Sequence, residues 1–289
     1  MINASRFVVD MQVTGKCNLS CDFCDGAPKE YSGVVLSDIK RCIDKLVKAG
    51  LTTLNISGGE PLVRKDISEI LEHAYSHNLE VYLSTNGLLL YRYLEKIFPY
   101  IKTLGLPLDG STSEMNQKMT RGEKQRDATV GWLRYFKENP PSFLVKVGTV
   151  ISAININDLL NIGNVIYDPN VYSPDVWRLY EFTPLGDGLY SKERHEISPQ
   201  QFAETIIQVK KSFPTKNIVP LSNADSNDSY IFIDPRMIIQ IYTNDNYKAV
   251  GSLLDISDDE LIHLSKQFST VVTKGGANRE WLSFKGKTQ

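Results

Sequence analysis

The sequence has no cysteine beyond position 42 and only four in all. That scarcity excludes a disulfide framework, which needs paired cysteines spread through the chain. Net charge is also small, −2 from 32 basic and 34 acidic residues, so no overall positive field exists to hold a nucleic-acid polymer. No apolar run approaches the ~20 residues of a membrane span, and the opening "MINASRFVVDMQV" lacks the basic start and apolar stretch of a signal peptide. Internal repeats and low-complexity linkers are absent as well. These absences predict a cytoplasmic protein with no membrane partner. At 289 residues, 42% hydrophobic and 23% charged, the chain is long enough for one to two domains.

Where cysteine does occur, it is concentrated. "VTGKCNLSCDFCDGAPK" holds Cys17, Cys21 and Cys24 within eight residues. Such a cluster in a reducing compartment points to a metal. Iron–sulfur clusters normally take four thiolates; three leave one iron open, and an open position is the mark of a chemical site rather than a structural one. A structural zinc would need a histidine as its fourth ligand, and none of the four histidines is near the loop in sequence. Cys42 falls on a helical stripe with Ile39, Ile43 and Leu46, so it reads as a core thiol rather than as the fourth ligand.

Two periodicities alternate along the first two-thirds of the chain. "FVVDMQV" repeats its apolar residues every second position, as a strand does, and "SDIKRCIDKLVKAG" repeats them at helical spacing. The alternation continues through "TTLNISGG", "EVYLSTNG", "KTLGLPLDG", "FLVKVGTVIS" and "VWRLYEFTP" as strands, with "LLLYRYLEKIF" among the intervening helices. Six such units, ending near residue 184, predict parallel βαβ folding but fall short of the ~250 residues of a closed eightfold barrel. The expected fold is α/β, an open partial (β/α)6 barrel over residues 1–186, with a doubly wound flat sheet as the competing architecture. Residues 187–289 are expected to form an α+β extension that covers the barrel mouth, with a helix beginning at Ser198-Pro199, strands at "IVPLSN", "SYIFID" and "MIIQIY", and Tyr230 and Phe232 in the lid. In either architecture reactive groups gather at the C-terminal ends of the strands.

The stretch "CNLSCDFC", with aromatic Phe23 before its last cysteine, resembles the Cys-x3-Cys-x2-Cys signature of radical S-adenosylmethionine (SAM) enzymes. The resemblance implies a [4Fe-4S] cluster held by Cys17, Cys21 and Cys24, with SAM chelating the fourth iron. It implies an electron donor such as flavodoxin or ferredoxin, reductive cleavage of SAM, and a 5′-deoxyadenosyl radical that takes hydrogen from a substrate. Other motifs follow in order at strand ends. By the same resemblance "SGGEP" (Gly58, Gly59, Glu60, Pro61) would bind the methionine amino group, and Ser84 and Asn86 of "STNG" the ribose. Val150 or Ile151 would lie against the adenine, and Arg121 would pair with the SAM carboxylate. Taken singly, these same residues also read as a strand-to-helix turn, a turn signal, strand core and a solvated charge.

Lacking cysteine after Cys42, the chain has no thiolates for an auxiliary cluster farther along. Its later part, through "KVGTVISAININDL", "VWRLYEF", "VPLSNADSNDSYIFID", "GSLLD" and "TKGGANREWLS", resembles the viperin family of nucleotide dehydratases. That implies lyase chemistry on a small, nucleotide-like substrate. One departure is plain: where that family carries a basic run for a triphosphate, this chain has "QIYTNDNYKAVG", with Lys248 its only cation. Lys146 and Arg178, at positions matching viperin cations, are the remaining candidates for phosphate, against the alternative of strand-end charges facing water. Tyr180 is either a group aimed into the barrel or packing, with Glu181 alternating to the other side. His195 and Asp187 have nothing in the sequence to raise them above loop polar residues. Modification of a peptide without auxiliary clusters is the alternative radical reading, and a non-catalytic metal-binding or redox-sensing protein the alternative from another class.

Overall fold

The computed structural model describes residues 7–227, 231–244 and 246–269; Tyr230 and the "TKGGANREWLS" stretch lie outside the described residues. The first part of the chain runs β1 (Val8–Gln12), α1 (Leu36–Lys48), β2 (Thr53–Ser57), α2 (Ile67–Ser76), β3 (Glu80–Ser84), α3 (Leu94–Ile97) and β4 (Thr103–Pro107). It continues with α4 (Ser113–Lys118), α5 (Gln125–Glu138), β5 (Leu144–Ile151), α6 (Leu159–Ile166) and β6 (Val176–Glu181). Then come α7 (Lys192–His195), α8 (Pro199–Ser212), β7 (Ile218–Leu221), α9 (Asn223–Ser226), β8 (Ile231–Ile233), β9 (Ile238–Thr243), β10 (Asn246–Ser252) and α10 (Asp258–Ser269).

The ten strands among the described residues share one open sheet, ordered β10-β9-β8-β1-β2-β3-β4-β5-β6-β7. From β1 to β7 each strand lies parallel beside its predecessor. A doubly wound sheet must reverse its strand order at a switch point; from β1 to β7 this one does not, so those crossovers all fall on the same side and the partial barrel is the correct architecture. The strands after residue 186 extend both edges. β7 continues beyond β6, and β8 pairs parallel with β1 before β9 and β10 fold back antiparallel. β10 is a strand that the sequence pattern did not reveal, because its residues are mostly polar or small.

Two sequence expectations meet different fates. Ser198 caps α8 with Pro199 at its first position and Gln201 returning the capping contact, the arrangement its residues predict. The helix expected over residues 88–98 instead breaks into a 3-10 turn, the single turn α3 and another 3-10 turn at Phe98–Tyr100. The breaks fall at Tyr93 and Ile97, whose φ angles of −129° and −120° leave the helical range, while Phe98 before Pro99 keeps helical angles.

The strands' outer face makes the core. Val9, Met11, Leu54 and Ile56 are fully buried with Ile39, Cys42 and Ile43 of α1 and Ile70 of α2, each such side chain contributing about 1.5–3 kcal/mol. Alternate residues face inward. Along β5, Lys146, Gly148 and Val150 are the half-buried set between buried neighbours, and they face a chamber inside the curved sheet.

Candidate active site

The loop after β1 carries the three cysteines into a cavity of about 300 Å³ at the C-terminal ends of the strands. Each sulfur has an N–H nearby. Leu19 N lies 3.3 Å from Cys17 Sγ, Gly26 N 3.4 Å from Cys24 Sγ, and Arg121 Nη1 3.9 Å from Cys21 Sγ. Burial pushes the Cys17 thiol up and Cys24 to about 12, so a metal would have to draw these protons off.

These residues fit the iron–sulfur cluster the resemblance implies. A tetrahedral zinc with Zn–S bonds of ~2.3 Å holds its sulfurs roughly 3.8 Å apart. The three sulfurs do not come that close: among the described residues, the group of three His, Cys, Asp or Glu side chains whose ligand atoms all lie within 4.8 Å contains no cysteine. Wider spacing suits thiolates bonded to separate irons, and N–H donors at the sulfurs are a lever on such a cluster's potential.

The loop is clamped from a part of the chain that the sequence left unassigned. Asp22 Oδ1 accepts from Thr120 Oγ1 at 2.6 Å and from His195 Nε2 at 2.9 Å, while Arg194 pairs with Oδ2 at 2.6 Å. Burial alone would raise the Asp22 carboxyl, but these hydrogen bonds and charges outweigh it and lower its pKa. Burial depresses His195 despite the carboxylate; its fully enclosed ring is therefore neutral near pH 7 and donates an ordinary hydrogen bond. The ring also packs against Phe23 and Phe182, with centroids 5.6 and 5.3 Å away. No histidine is near the cysteines in sequence, yet this one lies beside their loop in space. No local motif signals it.

"SGGEP" acts first on the backbone. A Cβ at Gly58 would stand 2.4 Å from Thr14 O, and one at Gly59 2.3 Å from Gly15 O, so the close approach these glycines permit is to the cysteine loop itself. Gly59 N and Glu60 N bond to that loop's carbonyls at Thr14 and Lys16. Glu60 is completely buried and accepts from Leu62 N, Thr85 Oγ1 and Asn86 N at 3.0, 2.7 and 2.7 Å. Burial raises its pKa against those bonds. Gly58, Gly59, Ser84 and Asn86 line the cysteine cavity, whereas Glu60 and Pro61 do not. Asn86 also reaches the cysteine loop, donating Nδ2–H to Asn18 at 2.7 Å.

Arg121 is not a solvated charge. Its Nε lies 2.6 Å from Asp109 Oδ2, and its guanidinium sits 4.6 Å over the Phe23 ring. The buried Asp109 also accepts from Val150 N at 2.7 Å. Of the two aliphatic candidates on β5, Val150 lines the cavity and Ile151 points into the core.

Behind the cysteine cavity lies a second chamber, also about 300 Å³. Cys24, Ser84, Arg121, Lys146, Val150 and Tyr180 belong to both walls. Arg178 lines the deeper chamber at 2% exposure, which rules out a strand-end charge facing water. Its guanidinium lies 5.7 Å from the Tyr180 ring, and Tyr180 Oη is 3.4 Å from Lys146 Nζ. Tyr180 therefore faces inward. Glu181 reaches the chamber too, contrary to strict alternation, since at the strand's end it turns to accept from Asn223 N at 2.8 Å. Lys248 is not brought there: it is exposed on β10, and its neighbour Tyr247 lines the chamber instead. Asp10, on the inward face of β1, was missed. It accepts from Asn55 Nδ2 at 2.5 Å and from Ser57 Oγ, and burial raises its pKa. Its signal was the polar pair Asp10 and Gln12 opposite an apolar stripe.

Comparison with known proteins agrees with this geometry. The chain is 24% identical to the S-adenosylmethionine-dependent nucleotide dehydratase RSAD2 of Oncorhynchus mykiss, over 96% of this chain and 82% of that one. It is 25% identical to the S-adenosylmethionine-dependent nucleotide dehydratase of Selenomonas ruminantium, over 86% of this chain and 90% of the relative. Streptococcus suis SuiB, solved with its precursor peptide SuiA, superposes with a TM-score of 0.73 over 97% of this chain and 70% of SuiB at 15% identity; its complex with S-adenosylmethionine gives 0.71. Residues 11–163, more than half of the chain, match the Radical SAM superfamily, whose members use a [4Fe-4S] cluster and SAM. On that match the chain belongs to the radical SAM superfamily.

Proposed function

We propose that this enzyme abstracts hydrogen from a small, nucleotide-like substrate held in the deeper chamber. The observation that carries the reading is Arg178, a cation buried at 2% exposure in a polar chamber that shares its wall with Cys24. An arginine withdrawn from water suits a phosphate partner. The two nucleotide dehydratases named above support the same substrate class. Lys146 and Tyr180 would share the phosphate, and Asn55 and Asn223 would meet hydroxyls or a base.

Arg178 shares the deeper chamber with two further cations, Lys146 and Arg121, the latter paired with Asp109, and with the acids Asp10, Asp25 and Glu181. With Lys248 outside, that balance favours fewer negative charges than a triphosphate carries.

Bound, the cluster and SAM supply a carbon radical. In this reading Cys17, Cys21 and Cys24 hold the cluster, Arg121 orients the SAM carboxylate and Val150 offers the adenine an apolar surface. Ser84 and Asn86 would face the ribose. Gly58 and Gly59 would bring backbone to the methionine end, with Glu60 and Pro61 shaping that turn from behind. Phe232, Tyr242 and Tyr247, which line the deeper chamber, would exclude water as the radical requires; residues 187–289 would thus act as a cover over the core of residues 1–186. All four cysteines are free, which suits a reducing cytoplasm and a flavodoxin- or ferredoxin-type donor.

The test is anoxic release of 5′-deoxyadenosine by the reconstituted chain against a panel of nucleoside mono-, di- and triphosphates. One phosphorylated nucleoside should accelerate release, and Arg178→Met should raise its KM at least about tenfold, the loss of one charge-assisted contact of roughly 1.4 kcal/mol or more. If no nucleotide changes the rate, or if only a peptide does, the substrate reading fails and the superfamily membership stands.

A further inference from the structure

At the opposite end of the strands from the cysteines, a second set of ligand-type side chains comes together. Asp44 lies in the last turns of α1, and His73 and His77 close α2, so all three sit near where β2 and β3 begin. The five-residue strand β2 puts roughly 17 Å between that end and the cysteine end.

The two histidines are four residues apart and therefore share one helix face, their ring centroids 5.0 Å apart at 77°. His73 Nε2 lies 2.8 Å and His77 Nε2 2.9 Å from the same atom, Asp44 Oδ1. This is the group of three, among the described residues, whose ligand atoms all lie within 4.8 Å of one another. Each side chain is partly exposed, at 46% for Asp44, 22% for His73 and 33% for His77, so an ion can reach them from solvent.

We propose that Asp44, His73 and His77 bind a borderline divalent cation, of the zinc or nickel class, that clips α1 to α2 and keeps a position for water. Two imidazoles with one carboxylate select such ions over magnesium or calcium, which prefer all-oxygen shells. Bonds of ~2.0–2.1 Å in a tetrahedral shell place ligand atoms about 3.3 Å apart. The two histidine–carboxylate contacts would need to open by only about half an ångström, which partly exposed side chains allow. As they stand, two imidazole protons occupy the space where the metal would sit. The site lies outside the chambers, and its test does not depend on the substrate reading.

The experiment is calorimetric titration of the cluster-loaded, anoxic chain with Zn2+, in which iron already occupies the competing thiols, repeated with His77→Ala and Asp44→Asn. The parent should take up one equivalent in the micromolar range or tighter, and its melting temperature should rise with zinc. Loss of an outer partner alone weakens metal sites by roughly 10–100-fold, so loss of a ligand should weaken this one at least about 100-fold and remove the thermal shift. Asp44→Asn keeps the size of the side chain and its hydrogen-bonding oxygen, and metal-free melting in chelator shows that each variant is folded. No saturable uptake at submillimolar zinc, or uptake that survives either substitution, would overturn the proposal.

Discussion

On β2 the residues read Leu54, Asn55, Ile56, Ser57, and the two faces they form differ in kind. Leu54 and Ile56 are fully buried in the apolar core shared with α1 and α2. Asn55 and Ser57 turn the other way and bond to Asp10 across the chamber wall. The same division runs along β5, where Lys146 and Val150 face the chamber while Val145 and Val147 are buried in the core. Packing on the outer face supplies stability that is indifferent to chemistry. The inner face carries polar groups that cost something to bury and are held in place by that packing. Substitutions should therefore separate into two groups by face.

The largest effect belongs to the inner side. Cys24→Ala should abolish the cluster's visible absorption and all 5′-deoxyadenosine release, yet leave the cluster-free chain melting almost where the parent does, because one half-buried thiol adds little packing. Anoxic reconstitution with iron counting, alongside calorimetry, measures both. A variant that loads a full cluster would remove Cys24 from the ligand set.

On the outer face the pattern inverts. Ile56→Ala should cost about 2–5 kcal/mol of stability, the usual range for truncating a core aliphatic residue. At low temperature, where the fold survives, SAM cleavage per cluster should match the parent. A large drop in that specific rate with little loss of stability would show that the two faces are not independent.

Much of this division was legible in the sequence. Period-two apolar runs and helical stripes located β1 to β6 and most of their helices, since each depends on neighbours a few positions away. The three cysteines announced themselves by spacing, and Cys42 by its place on a buried stripe. What sequence could not show depends on contacts distant along the chain. Strand order decided between barrel and doubly wound sheet. The enclosure of Glu60 came from Thr85 and Asn86, and the clamp on Asp22 from Thr120, Arg194 and His195. Lys248 could not be placed from composition either, because a one-residue register step on β10 moves a side chain to the other face.

The clamp on Asp22 offers a smaller test at the border of the two regions. Asp22→Ala removes the acceptor for three donors and should cost about 1–3 kcal/mol locally. The cysteine loop should then release its cluster to a chelator at least about tenfold faster, with a melting shift of the cluster-free chain well below that of Ile56→Ala. Release at the parent's rate would mean that the loop is held by its glycine contacts alone.

The smallest effect concerns the cost of the inner face itself. Burial raises the Asp10 pKa, while hydrogen bonds from Ser57 and Asn55 and the charge of Lys146 pull it back only in part. The folded chain thus keeps this proton to a higher pH than the unfolded chain does. Stability from this group is full below the ordinary carboxylate range and declines as pH rises toward the raised value. Asp10→Asn preserves the geometry: its oxygen can accept from Asn55, and its amide can donate to Ser57, whose hydroxyl reverses. Without a charge to bury, the variant should match the parent in urea unfolding at about pH 4 and exceed it near pH 7. Parallel stability curves across that range would mean that Asp10 ionises in the chamber as freely as in water. In that case the inner face would carry no electrostatic cost for the outer face to offset.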